Sequence, residues 1–541
     1  MDVSTHIEYM NHLRQRLIPR LEEPIIKASV ETYAYECVTL CDLSLDPQRD
    51  ALQALYCPTG QGSPYDPICM LRSWLLLTLT HDTSSPEIWA TRLKRDEVAA
   101  LLAGFEPGHT PSATAHRDFI TRYADGPYAR CATQDQTLSQ TLCGRHERHL
   151  SDTTKARQAE ADAQGVSQST LLCRQLLDAA DTTRDPQTLQ TRLDDLFVAL
   201  GLRPALDAGI LGDDPQHLTV SGDGTPLATA SSPHGERTCA CPPGTRCDHP
   251  RQYTNGTSQW CYHPHRGFVF GDESYTLSTR VNGHDVPLLT IMGTGNESDF
   301  TLSPTALDEL LKVVREHTLP MGIEIFVGDG HHDTMAIYQY VKTKGIIPII
   351  PLKGAADGAA DDTAPTTHPA LKTGSDITLD ADGTPLCPGG CRMRHAAYSS
   401  AKDSHYYVCP HTHRQRDASY RFDAEQCPNG QTCRPDKTMG YGVYLPGTAN
   451  PRYVVPIPRD SKRFTALYAE RSGVERSNAV EDAYHLDRCT RHAVYGLIRL
   501  TVVNVAKHAR LRWLERRKTA SPQALLQDTL DRLMTVTQSA E

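Results

Sequence analysis

The sequence predicts an α/β protein: a mixed sheet flanked by helices, with an all-helical amino-terminal domain and cysteine-rich insertions. Three observations lead to this prediction. Up to about residue 215, apolar residues recur at helical spacing. From residue 217 onward, short apolar strands alternate with amphipathic helices, which is the order expected of an α/β sheet. Nine of the 17 cysteines lie in two short windows, 239–261 and 387–433, and these windows are the predicted insertions.

The first 150 residues are predicted to form the helical domain. Asp66-Pro67 precedes the apolar run ICMLRSWLLLTLT and predicts the start of a buried helix, and Ser84-Ser85-Pro86-Glu87 predicts the cap of the next one. Residues 151–215 are polar with helical periodicity, and we interpret them as a helical connector. A chain of 541 residues is long enough for two to four folded units.

Residues 216–357 are predicted to form the first part of the sheet domain, with a cysteine-rich insertion over 234–266. LTVSGDGT is predicted to be a strand that ends at Asp223, and FVFGDESYTLSTRV and VPLLTIMGTG are predicted to be strands joined by the turn Asn282-Gly283. The elements predicted after them are a helix over 304–317, the strand IEIFVGDG that ends at Asp329, a helix over 334–344 and the strand GIIPIIPL.

Three further parts complete the predicted organisation. Residues 358–445 combine a polar linker with a cysteine- and histidine-rich insertion, and they show no regular periodicity. Residues 446–520 are predicted to carry the last part of the sheet domain and a basic helix, and residues 521–541 a tail.

Asp223 and Asp329 are the first candidate site residues. Each follows an apolar strand and lies between two glycines, which let the backbone approach a ligand closely. Taken singly, each is more often a turn aspartate, but two strand ends of one sheet can lie side by side. Their oxygens would suit Mg²⁺ or Mn²⁺. Two ions about 4 Å apart, as used in phosphoryl displacement, need a third carboxylate.

The segment TALYAERSGVERSNAVED supplies that third carboxylate. It resembles the last helix of the DDE transposases of bacterial insertion sequences, whose pattern is Tyr-x2-Arg-x3-Glu-x6-Lys. The matching residues are Tyr468, Arg471 and Glu475, whose spacing predicts that they share one helix face. Asp482 stands at the position of the family lysine.

Other segments are similar to the same family. SGDGTPLATASS resembles the first-aspartate block, and GDGHHDTMAIYQYVKTKGIIPIIPL resembles the second, with His332 where tyrosine is usual. YDPICMLRSWLLLTLTHDTSSPEIWATRL and GFEPGHTPSATAHRDFITR look like its amino-terminal helical domain. The likeness covers most of the chain from about residue 60 to 515.

The resemblance implies a fold, a reaction and partners. The fold is RNase H-like, and Asp223, Asp329 and Glu475 are the catalytic residues that hold two Mg²⁺ or Mn²⁺ ions. The reaction is metal-dependent DNA strand cleavage and strand transfer at the ends of an insertion sequence. The partners are the terminal inverted repeats and the target DNA, with a homodimer assembled on that DNA.

Charge gives a mixed indication of DNA binding. The net charge of −10 does not favour a nucleic-acid ligand, but residues 488–518 carry nine Lys or Arg against one acid. A solvated helix face is the alternative interpretation of this block. The amino-terminal helices are the other region expected to bind DNA or to support assembly. Together with the motif residues, the expected DNA contacts are Tyr468, Arg471, Arg476, Arg488, Arg491, Lys507, Arg510 and Arg512.

The two cysteine windows predict structural zinc, because close pairs of thiolate and imidazole ligands separated by loops are typical of such sites. A reduced, metal-free loop is the alternative for the first window. The candidate ligands of the first window are Cys239, Cys241, Cys247 and Cys261. The candidate ligands of the second are Cys387, Cys391, Cys427 and either Cys433 or Cys409.

Several function classes lack support in the sequence. It contains no apolar run long enough to span a bilayer, and its amino terminus has no signal-peptide core, so we expect a cytoplasmic protein that joins the nucleoid when active. It contains neither GxxxxGK[ST] nor GxGxxG. Three functions stay open: an active transposase, an inactive or domesticated transposase that binds DNA without cutting it, and a different metal-dependent nuclease on the same fold.

Overall fold

The structure is a computed structural model of the chain. The residues that it describes are 3–56, 64–81, 85–125, 141–143, 152–234, 236–237, 239–245, 251–253, 258–263, 267–295, 297–352, 366–371, 376–417, 419–430, 438–448, 450–486 and 493–536. None of the helices in these ranges is long and apolar enough to cross a membrane.

Helices occupy the amino-terminal part of the chain, as predicted. The Asp66 carboxylate accepts the Ile68 N–H at 2.9 Å and so caps the fifth helix, whose residues 67–77 are all buried. The amino-terminal helices are α1 His6–Arg16, α2 Pro24–Thr32, α3 Ala34–Asp42, α4 Arg49–Ala54, α5 Pro67–Thr80, α6 Pro86–Arg95, α7 Glu97–Leu102 and α8 Ala113–Asp125. The next helices are α9 Asp152–Gln164, α10 Gln168–Asp178, α11 Leu189–Phe197 and α12 Arg203–Asp207.

Strands and later helices follow from residue 218. In chain order the strands are β1 Thr141–Cys143, β2 Leu218–Ala228, β3 Glu236–Arg237, β4 Arg251–Tyr253, β5 Gln259–His263, β6 Gly267–Val281, β7 His284–Thr294, β8 Ile323–Val327, β9 Ile347–Ile349, β10 Thr366–Pro369, β11 Asp376–Leu379, β12 Arg394–Ser399, β13 Ser404–Val408, β14 Thr412–Arg414, β15 Tyr420–Phe422 and β16 Gly442–Pro446. The remaining helices are α13 Asp299–Glu316, α14 Met335–Thr343, α15 Lys462–Tyr468, α16 Ser472–Ala479, α17 Ala493–Arg516 and α18 Pro522–Thr535.

The central sheet has the strand order β7-β6-β2-β8-β9, and β5 continues the β7 side along the first half of β6. The pairs β7·β6 and β6·β2 are antiparallel, whereas β2·β8 and β8·β9 are parallel. This order and these directions are those of an RNase H-like sheet, so the predicted fold class is confirmed. The turn Asn282-Gly283 joins β6 to β7 with positive φ at both residues, as a two-residue hairpin requires.

Helices cover both faces of this sheet. The α13 helix packs on β6 and β7 from one side and contacts α14. On the other side, Asn504 of α17 donates to the Thr290 hydroxyl at 3.0 Å, and a ring nitrogen of His508 lies 2.7 Å from the Pro287 carbonyl oxygen. The α16 helix packs beside α17 on β2, β6 and β7.

Two predicted element boundaries differ from the structure. Strand β2 does not end at Asp223 but runs to Ala228, because β6 continues to pair with it after β8 has ended. The α13 helix begins at Asp299 rather than at residue 304, and Pro304 lies inside it as the sixth helical residue, where proline removes one helical N–H···O=C bond.

The segment predicted as one continuous motif helix is divided in two. A 3₁₀ turn, Ala469–Arg471, separates α15 from α16, so Tyr468 and Glu475 lie on different helices. Arg471 and Glu475 still meet, because four residues make one turn.

The region after residue 358 contains more regular structure than predicted. Short antiparallel strands, β10 to β16, fold around a small apolar core of their own. Three to six residues a strand leave too few positions for a periodicity to show in the sequence. We call residues 366–446 the insertion module. The segment expected to be a tail contains α18, which packs on α3.

Candidate metal and DNA site

The register of the sheet places Asp223 beside Asp329. The last paired residues of the parallel strands β2 and β8 are Ser221 and Val327. Two residues further along each chain come Asp223 and Asp329. The two glycine-flanked aspartates, predicted from separate strands, therefore lie next to each other at the carboxyl end of β8.

The side chain of Asp223 points to the face of the sheet that α16 covers. Asp223 pairs with Thr276 across the antiparallel ladder, and Thr225 lies two residues further on the same face. The Asn478 amide of α16 donates to the Thr225 hydroxyl at 2.9 Å. This bond fixes the helix that carries Glu475 over the strand that carries Asp223.

Arg471 interacts with the three predicted acids. Its guanidinium forms an ion pair with the Glu475 carboxylate at 2.6 Å, and its charge also acts on Asp223 and Asp329. The Glu475 side chain is 48% exposed, so one side of the group is open to solvent. Arg471 thus partly neutralises a cluster of carboxylates.

The pKa of Asp223 reports how closely the acids are grouped. Its net value is about 7, and burial raises it most, followed by the neighbouring charge of Asp299. Arg471 opposes this rise, and the charges of Asp329 and Glu475 add to it. The structure therefore brings the three predicted acids into one electrostatic environment, together with a fourth acid.

Asp299, the first residue of α13, is a site residue that the sequence prediction missed. One carboxylate oxygen of Asp299, one of Asp329 and a ring nitrogen of His331 lie within 4.8 Å of one another, a separation that a single cation could bridge. Burial raises the pKa of Asp299 above its ordinary value. The only signal in the sequence is an acid at the start of a helix, which is common, so tertiary structure is needed to find it.

Glu273 on β6 is a second acid outside the prediction. A Cβ added to Gly224 would lie 2.6 Å from an Asp299 oxygen and 2.7 Å from a Glu273 oxygen. Burial, followed by the charges of Asp299 and Asp223, raises the pKa of Glu273 well above its ordinary value. Glycine at 224 therefore leaves room for two carboxylates behind the strand of Asp223.

A chain of hydrogen bonds orients Asp329. Its carboxylate lies 2.8 Å from the Nδ1 atom of the buried His332, and the Nε2 atom of that ring lies 2.8 Å from the Tyr275 hydroxyl. A Cβ at Gly222 would lie 2.1 Å from that hydroxyl, so glycine at 222 admits the tyrosine. Burial raises the pKa of Asp329, but the hydrogen bonds from His332 and His331 outweigh it and hold the pKa below its usual range.

The expected DNA contacts have different surroundings. Arg476 is bound to Asp285 through two hydrogen bonds of 2.9 and 3.0 Å, and Tyr468 stacks on Phe464. The buried Lys507 ammonium donates to the Ser477 carbonyl oxygen at 2.9 Å. Arg510 is exposed and lies over the Tyr35 ring, whereas Arg512 is half-buried beside Trp513. Arg488 and Arg491 lie outside the described residues.

An aromatic surface extends from the same face of the sheet. Residues 260, 262, 268 and 270 alternate along the paired strands β5 and β6 and so share one face, which is also the face of Thr276 and Asp223. Trp260, Tyr262 and Phe268 are 55%, 68% and 74% exposed. We call these three residues and the half-buried Phe270 the aromatic stripe.

The cysteine windows are partly described. In the first, the Cys261 thiol donates to the Val269 carbonyl oxygen at 3.4 Å, and Cys247 lies outside the described residues, as does Cys433 of the second. In the second, ligand atoms of Cys391, His411 and Cys427 lie within 4.8 Å of one another. Burial, then the thiols of Cys387 and Cys427, raise the pKa of Cys391 to about 11. His411, which forms a close pair with Cys409 in the sequence, was not in the preferred ligand set.

Comparison with known proteins gives a family match. The model of the family described as "Transposase DDE domain" matches residues 217–494, just over half of the chain. This range begins directly before β2 and includes Asp223, Asp329 and Glu475. Among curated proteins, no match was found.

Solved structures give a weaker likeness. The piggyBac transposase synaptic complex with hairpin DNA has a TM-score of 0.34 and 8% identity, over 93% of this chain and 80% of that chain. The Mos1 transposase paired-end complex with left transposon end has a TM-score of 0.14 and 11% identity, over 52% and 77%. The mariner Mos1 paired-end complex with Mg has values of 0.13 and 10%, over 51% and 75%. The family assignment therefore depends on the sequence match.

Proposed function

Because the chain belongs to the DDE transposase family, we propose that it cleaves DNA strands and joins them to a target, using metal ions held by Asp223, Asp329 and Glu475. The observation that carries this proposal is the grouping of these three acids. They come from β2, the end of β8 and α16, yet their charges act on one another.

The donor set of this site fits hard divalent cations. Carboxylate oxygens are the ligands that Mg²⁺ and Mn²⁺ prefer, and four clustered acids repel each other until cations bind. Two bound ions would stabilise the entering and leaving oxygens of a phosphodiester. We include Asp299 in the metal-binding set because one of its carboxylate oxygens lies within 4.8 Å of ligand atoms of both Asp329 and His331.

Residues around the acids have positioning roles in this proposal. The His332 ring, held by Tyr275, sets the rotation of the Asp329 carboxylate. Arg471 holds Glu475 toward the other acids and supplies a positive charge for a DNA phosphate. In this proposal any zinc ion is structural rather than catalytic, because the cysteine windows offer thiol ligands, which suit a structural zinc site.

We propose that DNA binds across the face of the sheet on which Asp223 points. The aromatic stripe continues this face and can stack on unpaired bases, for which every base offers a surface. The exposed Arg510 remains a candidate phosphate contact. Lys507 and Arg476 are engaged with Ser477 and Asp285, so we assign them to holding α16 in place.

The finer proposal concerns the substrate. The DNA ends are the terminal inverted repeats of an insertion sequence, the second substrate is target DNA, and a homodimer of the chain assembles on them. These parts follow from the resemblance of the motif segments to that group of transposases.

Asp482 favours a second candidate function. It stands where the related insertion-sequence enzymes carry a lysine that contacts DNA, and an acid there would repel phosphate. A transposase descendant that binds DNA without cutting it would tolerate this change.

A strand-transfer assay with Mg²⁺ distinguishes the candidates. The substrate is DNA that carries the sequences flanking the gene, with plasmid as the target. Joined products are expected for a transposase. Cleavage without joining would indicate a different nuclease, and binding without cleavage would indicate the inactive descendant.

A further inference from the structure

Three Cys-Pro turns meet in the insertion module, and they begin at Cys387, Cys409 and Cys427. In each, the third residue after the cysteine donates its N–H to the cysteine carbonyl oxygen, at 2.8, 3.0 and 2.9 Å. Such turns free the adjacent side chains to point toward one centre. The first and third turns are joined directly, because the Asn429 amide donates to the Gly389 carbonyl oxygen at 2.6 Å.

Four potential ligands converge where these turns meet. The Cys391 thiol lies within hydrogen-bonding reach of the thiols of Cys387 and Cys427. Ligand atoms of Cys391, His411 and Cys427 are all within 4.8 Å of one another. In a tetrahedral zinc site with Zn–S of about 2.3 Å and Zn–N of about 2.0 Å, neighbouring ligand atoms are about 3.5–3.8 Å apart. The ligand atoms of Cys391, His411 and Cys427 thus lie close to the separations of such a site, and Cys387 reaches the group through its contact with Cys391.

We propose that Cys387, Cys391, His411 and Cys427 bind one structural zinc ion. His411 takes the place for which Cys433 or Cys409 was expected. Its backbone carbonyl accepts the Asp423 N–H at 2.9 Å, which holds the second turn against the chain that leads to Cys427. The Cys409 sulfur packs against Gly440, 2.8 Å from the position that a Cβ on that glycine would take.

The small core of the module explains why a metal is needed. In the described part of the chain, this core consists of nine buried side chains, and Cys387 is one of them. A unit of this size gains little from apolar burial, so ligand binding supplies much of its folding free energy. Cys387 and Cys391 precede β12, His411 precedes β14, and Cys427 follows β15. One bound ion would therefore connect three loops of the module.

The insertion module lies between Asp329 and Glu475 in the sequence, and polar contacts connect it and the chain after it to the elements near Asp329. Directly after it, Arg452 makes two hydrogen bonds of 2.9 and 2.7 Å with the buried Asp333, four residues beyond Asp329. Lys342 of α14 forms an ion pair with Asp403 of the module at 2.5 Å. Zinc binding would thus support the placement of α16 without contacting the reacting atoms.

The zinc content of the full-length protein, purified under reducing conditions, tests the ligand set. Cys427→Ser and His411→Asn should each contain one zinc equivalent less than the wild-type protein. His411→Cys should retain the ion because it restores four ligands. The matched controls Cys409→Ser, Cys433→Ser and His413→Asn should also retain it.

Two results would overturn the proposal. One is wild-type zinc content in the His411→Asn variant, and the other is a loss in Cys409→Ser or Cys433→Ser equal to that in Cys427→Ser. Limited proteolysis provides a second readout that does not require the variants to be stable. A chelator added to the wild-type protein should expose residues 376–446 to cleavage before the central sheet, and uniform cleavage of both would contradict a zinc-stabilised module.

Discussion

Asp223 illustrates how the site opposes the stability of the fold. Its carboxyl is buried among acids, and its pKa of about 7 lies well above that of an aspartate in an unfolded chain. The folded protein therefore binds a proton more tightly than the unfolded one. The contribution of the Asp223 carboxyl to the free energy of unfolding is therefore most favourable at low pH, and it is lost as the pH rises from about 4 through 7. Above pH 7 the full cost is present unless cations bind.

Asp223→Asn should stabilise the metal-free protein at pH 8. A pKa of about 7 in the folded state against about 4 in the unfolded state corresponds to about 4 kcal/mol, so the unfolding temperature should rise by several degrees. The gain should shrink as the pH falls toward 4. The control is Asp213→Asn, which removes an exposed acid shortly before β2. An unchanged or lower unfolding temperature for Asp223→Asn would contradict the electrostatic description.

Tyr275→Phe should weaken metal binding while leaving the three acids in place. It removes the hydroxyl that holds His332, and partners of this kind commonly change metal affinity by about 10–100-fold. Calorimetric titration with Mn²⁺ measures the effect. Tyr340→Phe is the matched control, because that hydroxyl bonds to Asp308 away from the site. Equal affinities of the two variants would show that His332 needs no support from Tyr275.

The residues of the site were predictable to different degrees. Glycines flank both Asp223 and Asp329 in the sequence, and the structure explains three of them. Gly222 leaves room for Tyr275, Gly224 for Glu273 and Asp299, and Gly328 for His332. Asp299, in contrast, is not flanked by glycines in the sequence. Only the packing of α13 behind β2 brings its carboxylate to the others.

At the scale of elements, α15 and α16 show what a helix pattern can and cannot predict. The order of Tyr468, Arg471 and Glu475 identified the right segment, but the break at residues 469–471 was not visible in it. The break lets α15 pack Phe464 on the β8–β9 part of the sheet, while α16 lies over β2.

The basic block gives a clearer correction at this scale. Helix α17 has buried residues from Thr501 to Ala509, so most of it faces the protein rather than solvent. A count of the basic residues in the sequence cannot distinguish the buried Lys507 from the exposed Arg510.

Lys507→Met and Arg510→Ala should therefore have different effects. The first should lower the unfolding temperature, because it removes the bond from α17 to Ser477 on α16, and it should leave the salt dependence of DNA binding unchanged. The second should reduce the slope of log affinity against log salt by about one. A reduced slope for Lys507→Met, or an unchanged slope for Arg510→Ala, would contradict this assignment.

The aromatic stripe should contribute to the binding of unpaired DNA. Replacing Trp260 or Tyr262 with alanine should lower affinity for single-stranded DNA by about tenfold, since stacking on one base contributes about 1–3 kcal/mol. The salt dependence should not change, because no charge is lost. Tyr420→Ala, an exposed aromatic of the insertion module, is the control in the same fluorescence titration. Equal losses in the control and the stripe variants would remove the stripe from the DNA surface.

At the scale of the whole molecule, one apolar core joins parts that the sequence divided. Buried residues from Val3 to Leu533 belong to a single cluster that includes the amino-terminal helices, the central sheet and α18. Local periodicity predicts elements but not which of them share a core, so the predicted domain limits do not correspond to separate cores. The insertion module has a separate small core, and it is the part most suited to fold with its own ligand.

The net charge of the whole chain does not describe the site. Its formal value of −10 is the excess of 65 acidic over 55 basic residues, which composition alone counts against DNA binding. Cations bound by the clustered acids, as we propose, would reverse the local sign where DNA would lie.

The most direct test of the central claim separates DNA binding from DNA cleavage at Glu475. Wild-type protein and the variant Glu475→Gln are compared with Mg²⁺ on the flanking-sequence DNA, by gel shift for binding and by denaturing gel for cut and joined strands. We predict that the variant binds with nearly wild-type affinity, because the change removes a metal ligand rather than a DNA contact, and that cut and joined products fall at least about 100-fold. Products at wild-type levels from the Glu475→Gln variant would contradict the assignment of the active site.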